Sequence, residues 1–294
     1  MTTAVTSSPS PLDVGTASAT ISQTRSVMSI TLPTGILIAF EGIDGAGKTT
    51  QASSLTTFLS DKGFQVVSTK EPTKGPWGQI IRRSARAGRL SAEEELDAFI
   101  KDRAEHVEQV IQPALEAGQV VIVDRYYFST VAYQGARGMN VDTLMALNES
   151  FAPEPDLLVI LDIDPHAGLQ RVAGRGDKAD LFENRDALTK SRAIFRAMDK
   201  PFALHLDATQ SIEHIEQTIR GNLYRGPLMS RLCPDTRVYG RPCNHWGRTS
   251  TCPWSRLTGF EAPSKSAIDG IVGDSSLSDP EKIEMIRESY AKSV

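Results

Sequence analysis

The stretch ILIAFEGIDGAGKTTQ, residues 36–51, decides how the rest of the chain is read. An apolar run stops at Glu41, a glycine-rich turn follows, and Lys48, Thr49 and Thr50 open a helical pattern. Gly42, Gly47, Lys48 and Thr49 satisfy G-x-x-x-x-G-K-[ST], with a strand before and a helix after, the context in which this pattern has physical meaning. Glycines in such a turn let backbone N–H groups converge on phosphate oxygens, and the dipole of the following helix adds positive potential. Lys48 then reaches the outer phosphates, and the Thr49 hydroxyl suits a magnesium ion.

Outward from this turn, short β-branched runs alternate with longer helical patterns. They are ILIAFE from Ile36, QVVST from Gln65, QVVIVD from Gln119, LLVILDI from Leu157 and ALHLDA from Ala203. Continuous apolar runs of this length predict strands of a parallel sheet buried on both faces. Gly63 and Gly118 stand where helices should end, and Ser91 with Glu94 makes a capping box for one long helix after the second strand. Leu96, Phe99, Ile100, Val107, Val110 and Ile111 recur along it at roughly helical spacing. The pattern predicts an α/β domain over residues 35–222, a doubly wound five-stranded parallel sheet with helices on both faces. There is no internal repeat.

Residues 1–34 read as a disordered leader, rich in Ser and Thr, with a transit peptide as the alternative that its single arginine disfavours. Residues 223–294 read as an irregular or disordered extension, dense in Pro, Gly, Ser and Arg, with a short terminal helix begun by Asp279 and Pro280. Trp246 and Trp254 are candidates to dock this extension on the domain or on a partner. Cys233, Cys243 and Cys252 all fall here, so the phosphate-binding part has no disulfide framework and a reducing, cytoplasmic setting is expected. With His245 they are four residues of zinc-ligating type, but the paired C-x-x-C knuckle is missing. A net charge of −4 gives no basic surface for nucleic acid, and no apolar run reaches the roughly 18 residues of a membrane span.

A phosphate cradle does not name a reaction. A guanine-binding switch needs a string such as N-K-x-D to read its base, and none occurs. Two other charged clusters do occur at strand ends: KEPTKGPWGQIIR, residues 70–82, and DRYYFSTVAYQ, residues 124–134. Ends of neighbouring parallel strands open on one crevice. Arg125 there fits a clamp for an acceptor phosphate, its fork matching phosphate oxygens, and equally an ion pair with Asp124 or Glu71. By pattern alone Phe99 is ordinary core and Arg103 a surface charge.

Taken together in order, FEGIDGAGKTTQ, KEP, FIKDRAEH, DRYYFSTVAYQG and PDLLVILDID resemble the thymidylate kinase family, whose members phosphorylate dTMP to dTDP. The resemblance covers residues 35–222 and implies ATP and magnesium as cofactors, dTMP as acceptor and a homodimer. It implies that Gly42, Ile43, Asp44, Gly45, Ala46, Gly47, Lys48, Thr49 and Thr50 line the ATP site. Asp44 also faces the acceptor sugar and phosphate, Glu71 and Pro72 shape the acceptor floor, and Arg82 approaches the acceptor. Phe99 matches a ring that stacks on thymine, and Arg103, one helical turn on, a donor to its carbonyl edge. That pairing has its own chemical sense, since an aromatic face and a donor fork suit a flat base with acceptor oxygens. Arg125 matches the phosphate clamp, Thr130 and Gln134 the base-edge contacts, and Tyr133 a ring that crowds the 2′ position and so favours a deoxy sugar.

GLQRVAGRGDKADLFENRD, residues 168–186, resembles the family's mobile lid. Arg171 and Arg175, one turn apart, match catalytic arginines; at that spacing a solvated helix face is the alternative. Gly45 and Ala46 offer the transferring phosphoryl group no charge, so the lid arginines carry that task in this reading. Glu183 matches an acidic position beside magnesium or its waters. One departure stands out: Thr73 and Lys74 replace the two glycines that many relatives carry after E-P. Two other functions fit the cradle, a kinase for a different nucleotide or deoxynucleoside acceptor and a non-catalytic nucleotide-binding module with a partner-recruiting tail.

Overall fold

The computed structural model of the chain describes residues 29–88, 90–174 and 183–232, with isolated positions at 1, 270, 273, 275, 276, 278, 281 and 285. Five strands form one sheet: β1 (Ile36–Glu41), β2 (Val66–Lys70), β3 (Val120–Asp124), β4 (Leu157–Asp162) and β5 (Ala203–Asp207). Their order is β2-β3-β1-β4-β5 and every pairing is parallel. All five lie within a residue of the apolar runs that predict them. Every residue of β1 and β3 is buried, which requires cover on both faces, whereas the edge strands β2 and β5 alternate.

The helices are α1 (Lys48–Asp61), α2 (Pro76–Ala87), α3 (Ala92–His106), α4 (Gln112–Glu116), α5 (Tyr127–Ala136), α6 (Val141–Glu149), α7 (Pro165–Ala173), α8 (Glu183–Arg196), α9 (Ile212–Leu223) and α10 (Met229–Leu232). A π-helical turn, Val107–Ile111, joins α3 to α4, and another, Tyr224–Leu228, joins α9 to α10. The chain leaves β1 toward β2 on one side, while the connection after β3 runs the other way, past β1 to β4. Right-handed crossovers in opposite directions place their helices on opposite faces. Accordingly α1 packs on α9, and α5 packs on α3, α6 and α8. The two connections diverge at the carboxyl ends of β1 and β3, the switch point at which open α/β sheets bind ligands.

The predicted capping box is present, with Glu94 N–H donating to Ser91 Oγ at 3.1 Å and Ser91 N–H to Glu94 Oε2 at 3.0 Å. Gly63 and Gly118 follow their helices with φ of +91° and +69°. In three places the structure departs from the sequence reading. The long helix after β2 is preceded by α2, which carries Trp77, Ile80 and Ile81 at helical spacing and whose Gly78 sits under Thr73, where a Cβ would lie 1.9 Å from the Thr73 carbonyl oxygen. Ile30 and Leu32, within the expected leader, pack on the domain: Ile30 bridges Phe64, and Leu32 is buried with its N–H on Gly118 O at 3.0 Å. The chain also stays helical past Leu223, because Tyr224 and Leu228 are buried in the same core.

Residues 2–28, the three cysteines with His245, Trp246, Trp254 and the predicted terminal helix lie outside the described residues, as does Arg175. Among the described residues no helix is long and apolar enough to cross a membrane. Removing the cap should show what it contributes. Ser91→Ala is expected to lower the unfolding free energy by about 1 kcal/mol in urea titrations, with Ser91→Thr restoring most of it.

Candidate active site

In the glycine turn between β1 and α1, Gly42 and Gly45 stand where contacts leave no room for a side chain. Gly45 has φ of +81°, and a Cβ on it would lie 2.1 Å from Gly168 O, so the turn seats directly on α7. Gly47, at φ +97°, is the N-cap of α1 and brings no side-chain cap. A Cβ there would meet only open space, so its positive φ rather than crowding is what calls for glycine. Lys48 is buried and folds back over its own loop, Nζ donating to Gly42 O at 2.9 Å and Ile43 O at 2.8 Å. Burial, aided by the nearby Arg125 charge, pushes its amine down to about 7 against the pull of Asp44, Asp124 and Glu41.

Beside it, Thr49 Oγ1 donates to Asp124 Oδ2 at 2.5 Å, and Lys70 Nζ donates to the same oxygen at 2.8 Å. Burial alone would raise the Asp124 carboxyl, but the hydrogen bonds from Lys70 and Thr49 and the charges of Lys70 and Lys48 hold it below the ordinary range. Parallel register explains the meeting: Asp124 lies across from Phe40 in β1 and from Lys70 in β2.

Glu41 closes β1 and is fully buried. Its Oε1 accepts from Tyr126 N–H at 2.7 Å and Ser129 N–H at 3.0 Å, and its Oε2 from Ser129 Oγ at 2.6 Å, so it caps the N-terminus of α5. Burial pushes its carboxyl up to about 7, and the hydrogen bonds with the Arg125 and Lys48 charges only partly offset this.

Just before that helix stands Arg125, at φ +71°, with its N–H on Phe40 O at 3.0 Å. Its guanidinium pairs with Asp44, not with Asp124 or Glu71, and reaches Ser129 Oγ at 3.3 Å and the Tyr133 hydroxyl at 3.4 Å. Tyr133 OH donates to Asp44 Oδ2 at 3.2 Å. Arg125 and Tyr133 thus meet Asp44, which reaches out from the glycine turn, in one cluster.

A second cluster is buried beneath. Arg103, only 1% exposed, donates through Nε and Nη2 to Glu71 Oε2 at 2.9 and 2.6 Å, through Nη1 to Asn148 Oδ1 at 2.5 Å, and through Nη2 to Thr130 Oγ1 at 3.0 Å. It is not the surface charge that its helical position suggests. His106, one turn on, donates from Nδ1 to Glu71 Oε1 at 2.9 Å, with Nε2 2.8 Å from Thr69 Oγ1. Pro72 follows Glu71 through a cis peptide, and Arg82 reaches back to Pro72 O at 2.8 Å and to Thr73 O. Phe99 is half-buried on α3. Gln134 is fully buried, and its Nε2 has no hydrogen-bond partner. Arg171, in the last turn of α7, donates to Ala208 O at 3.0 Å and lies 3.5 Å from Gly45 O. Thr50 is exposed at the start of α1, and Glu183 opens α8. Sequence reading singled out none of Glu41, Lys70, His106 or Asn148.

A phosphate-shaped turn at the switch point of a parallel sheet, with a second cationic cluster across the crevice, defines a P-loop nucleotide-binding α/β protein. The thymidylate kinase sequence profile matches residues 40–219. A thymidylate kinase of Xanthomonas campestris pv. campestris is 53% identical over 183 residues, 62% of this chain and 80% of that protein. One from Xylella fastidiosa (strain M12) is 50% identical over 184 residues, 63% of this chain and 84% of that protein. The chain belongs to the thymidylate kinase family, a family of nucleoside monophosphate kinases.

Glu41 binds its proton more tightly in the folded chain than in the unfolded one. Its contribution to stability is therefore complete below pH 4.5 and is lost as pH rises through about 7. Glu41→Gln removes this titration. The unfolding free energy of the wild type relative to the variant is expected to fall by roughly 1–3 kcal/mol over that window. Urea titrations in pH steps measure the slope, and a difference that grows with pH would contradict it.

Proposed function

We propose that this protein transfers the terminal phosphoryl group of ATP to the phosphate of dTMP, giving ADP and dTDP. Support comes chiefly from two facing groups, the glycine turn with Lys48 on one side and Arg125 with Tyr133 on the other, joined by Asp44 of the turn. The donor phosphates lie on the N–H groups of residues 42–50, where the α1 N-terminus carries no side-chain cap. Lys48 exchanges its loop carbonyls for phosphate oxygens, and their negative charge favours its ammonium form.

The acceptor phosphate takes the Arg125 guanidinium in the place now held by the Asp44 carboxylate. With a second pKa of about 6, that phosphate is already anionic near neutral pH, so no general base is needed. Thymine lies against Phe99. Arg103, rigidly held through Glu71, Asn148 and Thr130, offers its remaining Nη1–H to a base oxygen. Gln134 supports the same placement, because a buried amide nitrogen without a partner is costly and a base oxygen would satisfy it. Arg82 with the Glu71–Pro72 floor, and Tyr133 beside the sugar, complete the acceptor pocket.

Magnesium fits the donor side. Thr49 Oγ1 and the Asp124 carboxylate are hard oxygen donors side by side, and Asp124 Oδ1 is buried without a hydrogen-bond partner. Among the described residues no three His, Cys, Asp or Glu side chains form a metal cage, and phosphate oxygens and water would complete the ligands. When bound, the ion offsets phosphate charge. Arg171 approaches from α7 over Gly45, and Arg175 and Glu183 belong to the lid that closes over the phosphates and excludes water.

The transition state spreads charge over the equatorial oxygens, so catalysis is positioning and electrostatic stabilisation. Lys48→Ala is expected to abolish turnover with an unchanged circular dichroism spectrum. Arg175→Ala should lower kcat by about 10² with little change in the KM for dTMP, as a transition-state arginine does; equal weakening of dTMP binding refutes that role. The reading as a whole is tested by a coupled ADP-release assay with dTMP, other nucleoside monophosphates and deoxynucleosides as acceptors. Preference for dTMP is expected. A different preferred acceptor would reassign the substrate, and no turnover with any acceptor would favour a binding module.

A further inference from the structure

Lys70 has no part in the mechanism above, yet it is placed inside the donor site. As the last residue of β2 it lies in register with Asp124, and its ammonium sits 2.8 Å from Asp124 Oδ2 and 3.5 Å from Thr49 Oγ1. Thr49 and the Asp124 carboxylate are the groups assigned above to the metal, through Thr49 Oγ1 and the Asp124 Oδ1 that no hydrogen bond occupies. Asp124 is buried, its side chain 6% exposed, so its negative charge needs a nearby cation whenever no metal is present. Lys70 is 54% exposed on a flexible stem, free to withdraw into solvent without disturbing the fold. A divalent ion on the Asp124–Thr49 pair would stand within a few ångströms of the ammonium, and two cations at that separation repel strongly in a partly buried site.

We propose that Lys70 is a built-in counter-cation for the metal position. It balances Asp124 in the nucleotide-free protein, fixes the Asp124–Thr49 pair in place, and is displaced when a metal–nucleotide complex enters. Lys70 and the metal are then competitors, and competition is reciprocal: whatever the lysine loses on displacement, the metal must supply. The lysine therefore weakens metal-loaded nucleotide relative to metal-free nucleotide. This eases departure of the loaded product and keeps the buried carboxylate neutralised between turnovers.

The inference rests on the proposed donor site, and calorimetry separates the two. ADP is titrated into the full-length protein with excess Mg2+ or with EDTA, for the wild type and for Lys70→Met, with thermal melts to confirm folding. In Lys70→Met the ratio of the metal-free to the Mg2+-loaded Kd should rise about tenfold or more. In an Asp124→Asn background the same lysine substitution should leave the ratio unchanged within about twofold. Wild-type ADP binding that strengthens with Mg2+, together with a ratio that Lys70→Met leaves unchanged or lowers, overturns the exchange and leaves the donor site standing. A rise that persists in the Asp124→Asn background also overturns it, since the lysine would then act elsewhere. Wild-type protein whose ADP binding ignores Mg2+ overturns the metal reading and this inference together.

Discussion

The buried carboxylate of Glu41 ties the glycine turn to the start of α5. It ends β1, and the glycine turn begins at the next residue; its three hydrogen bonds all go to the first turn of α5. A helix N-terminus buried in a core must find acceptors for its orphan N–H groups, and here a residue 85 positions upstream supplies them. The helix dipole partly offsets the cost of burying the carboxylate. Arg125 lies between this cap and its own N–H bond to Phe40 O, in a backbone conformation unusual for a side-chain-bearing residue. Two consecutive residues of β1 thus fix where the guanidinium starts, and its distance from the phosphate cradle is set by the sheet rather than by a loop.

The end of β2 is held differently, by one carboxylate shared between two side chains of α3. Glu71 receives Arg103 on one oxygen and His106 on the other, so α3 is locked to the end of β2. Asp102, the neighbour of Arg103, receives both the N–H and the hydroxyl of Thr73, at 2.7 and 2.6 Å. This bears on the departure from the two-glycine loop of relatives. Thr73 gives up glycine's freedom but gains a double attachment to α3, and its carbonyl in turn receives Arg82. The bulkier loop is therefore a braced one, and the lysine that follows points out into solvent.

What could be read from the sequence was periodic or local. Buried parallel strands announce themselves as apolar runs, the capping box is a four-residue pattern, and the glycine turn is contiguous, so all three were found nearly to the residue. The α2 helix lies outside that reading because its apolar stripe, Trp77 with Ile80 and Ile81, is short and lies inside a stretch marked chiefly by its charges, prolines and glycines. The polar framework of the site was hidden for a different reason. Glu41 with Tyr126, Lys70 with Asp124, and Glu71 with Arg103 are pairs of distant residues, brought together only once strand order and register are fixed. Spacing could offer Arg125 a choice of ionic partners, but it could not reveal that Asp44 reaches across from the glycine turn to take it.

In the proposed reading, the cations of the site already have partners within the protein. Lys48 rests on two carbonyls of its own loop and Arg125 on Asp44. Each substrate phosphate therefore exchanges one set of partners for another, and net ground-state affinity is only the difference between the two. The donors need little reorganisation, however, because the sheet and the Glu41 cap have already placed them, so charge that develops during transfer meets groups already aimed at it. Interactions that break even in the ground state and gain in the transition state are the ones that accelerate chemistry. Asp44 adds a linkage between the two halves: it holds both the Arg125 guanidinium and the Tyr133 hydroxyl. An acceptor phosphate that displaces it from Arg125 also loosens the ring beside the sugar, so the phosphate and the sugar are sensed through a single side chain of the donor loop.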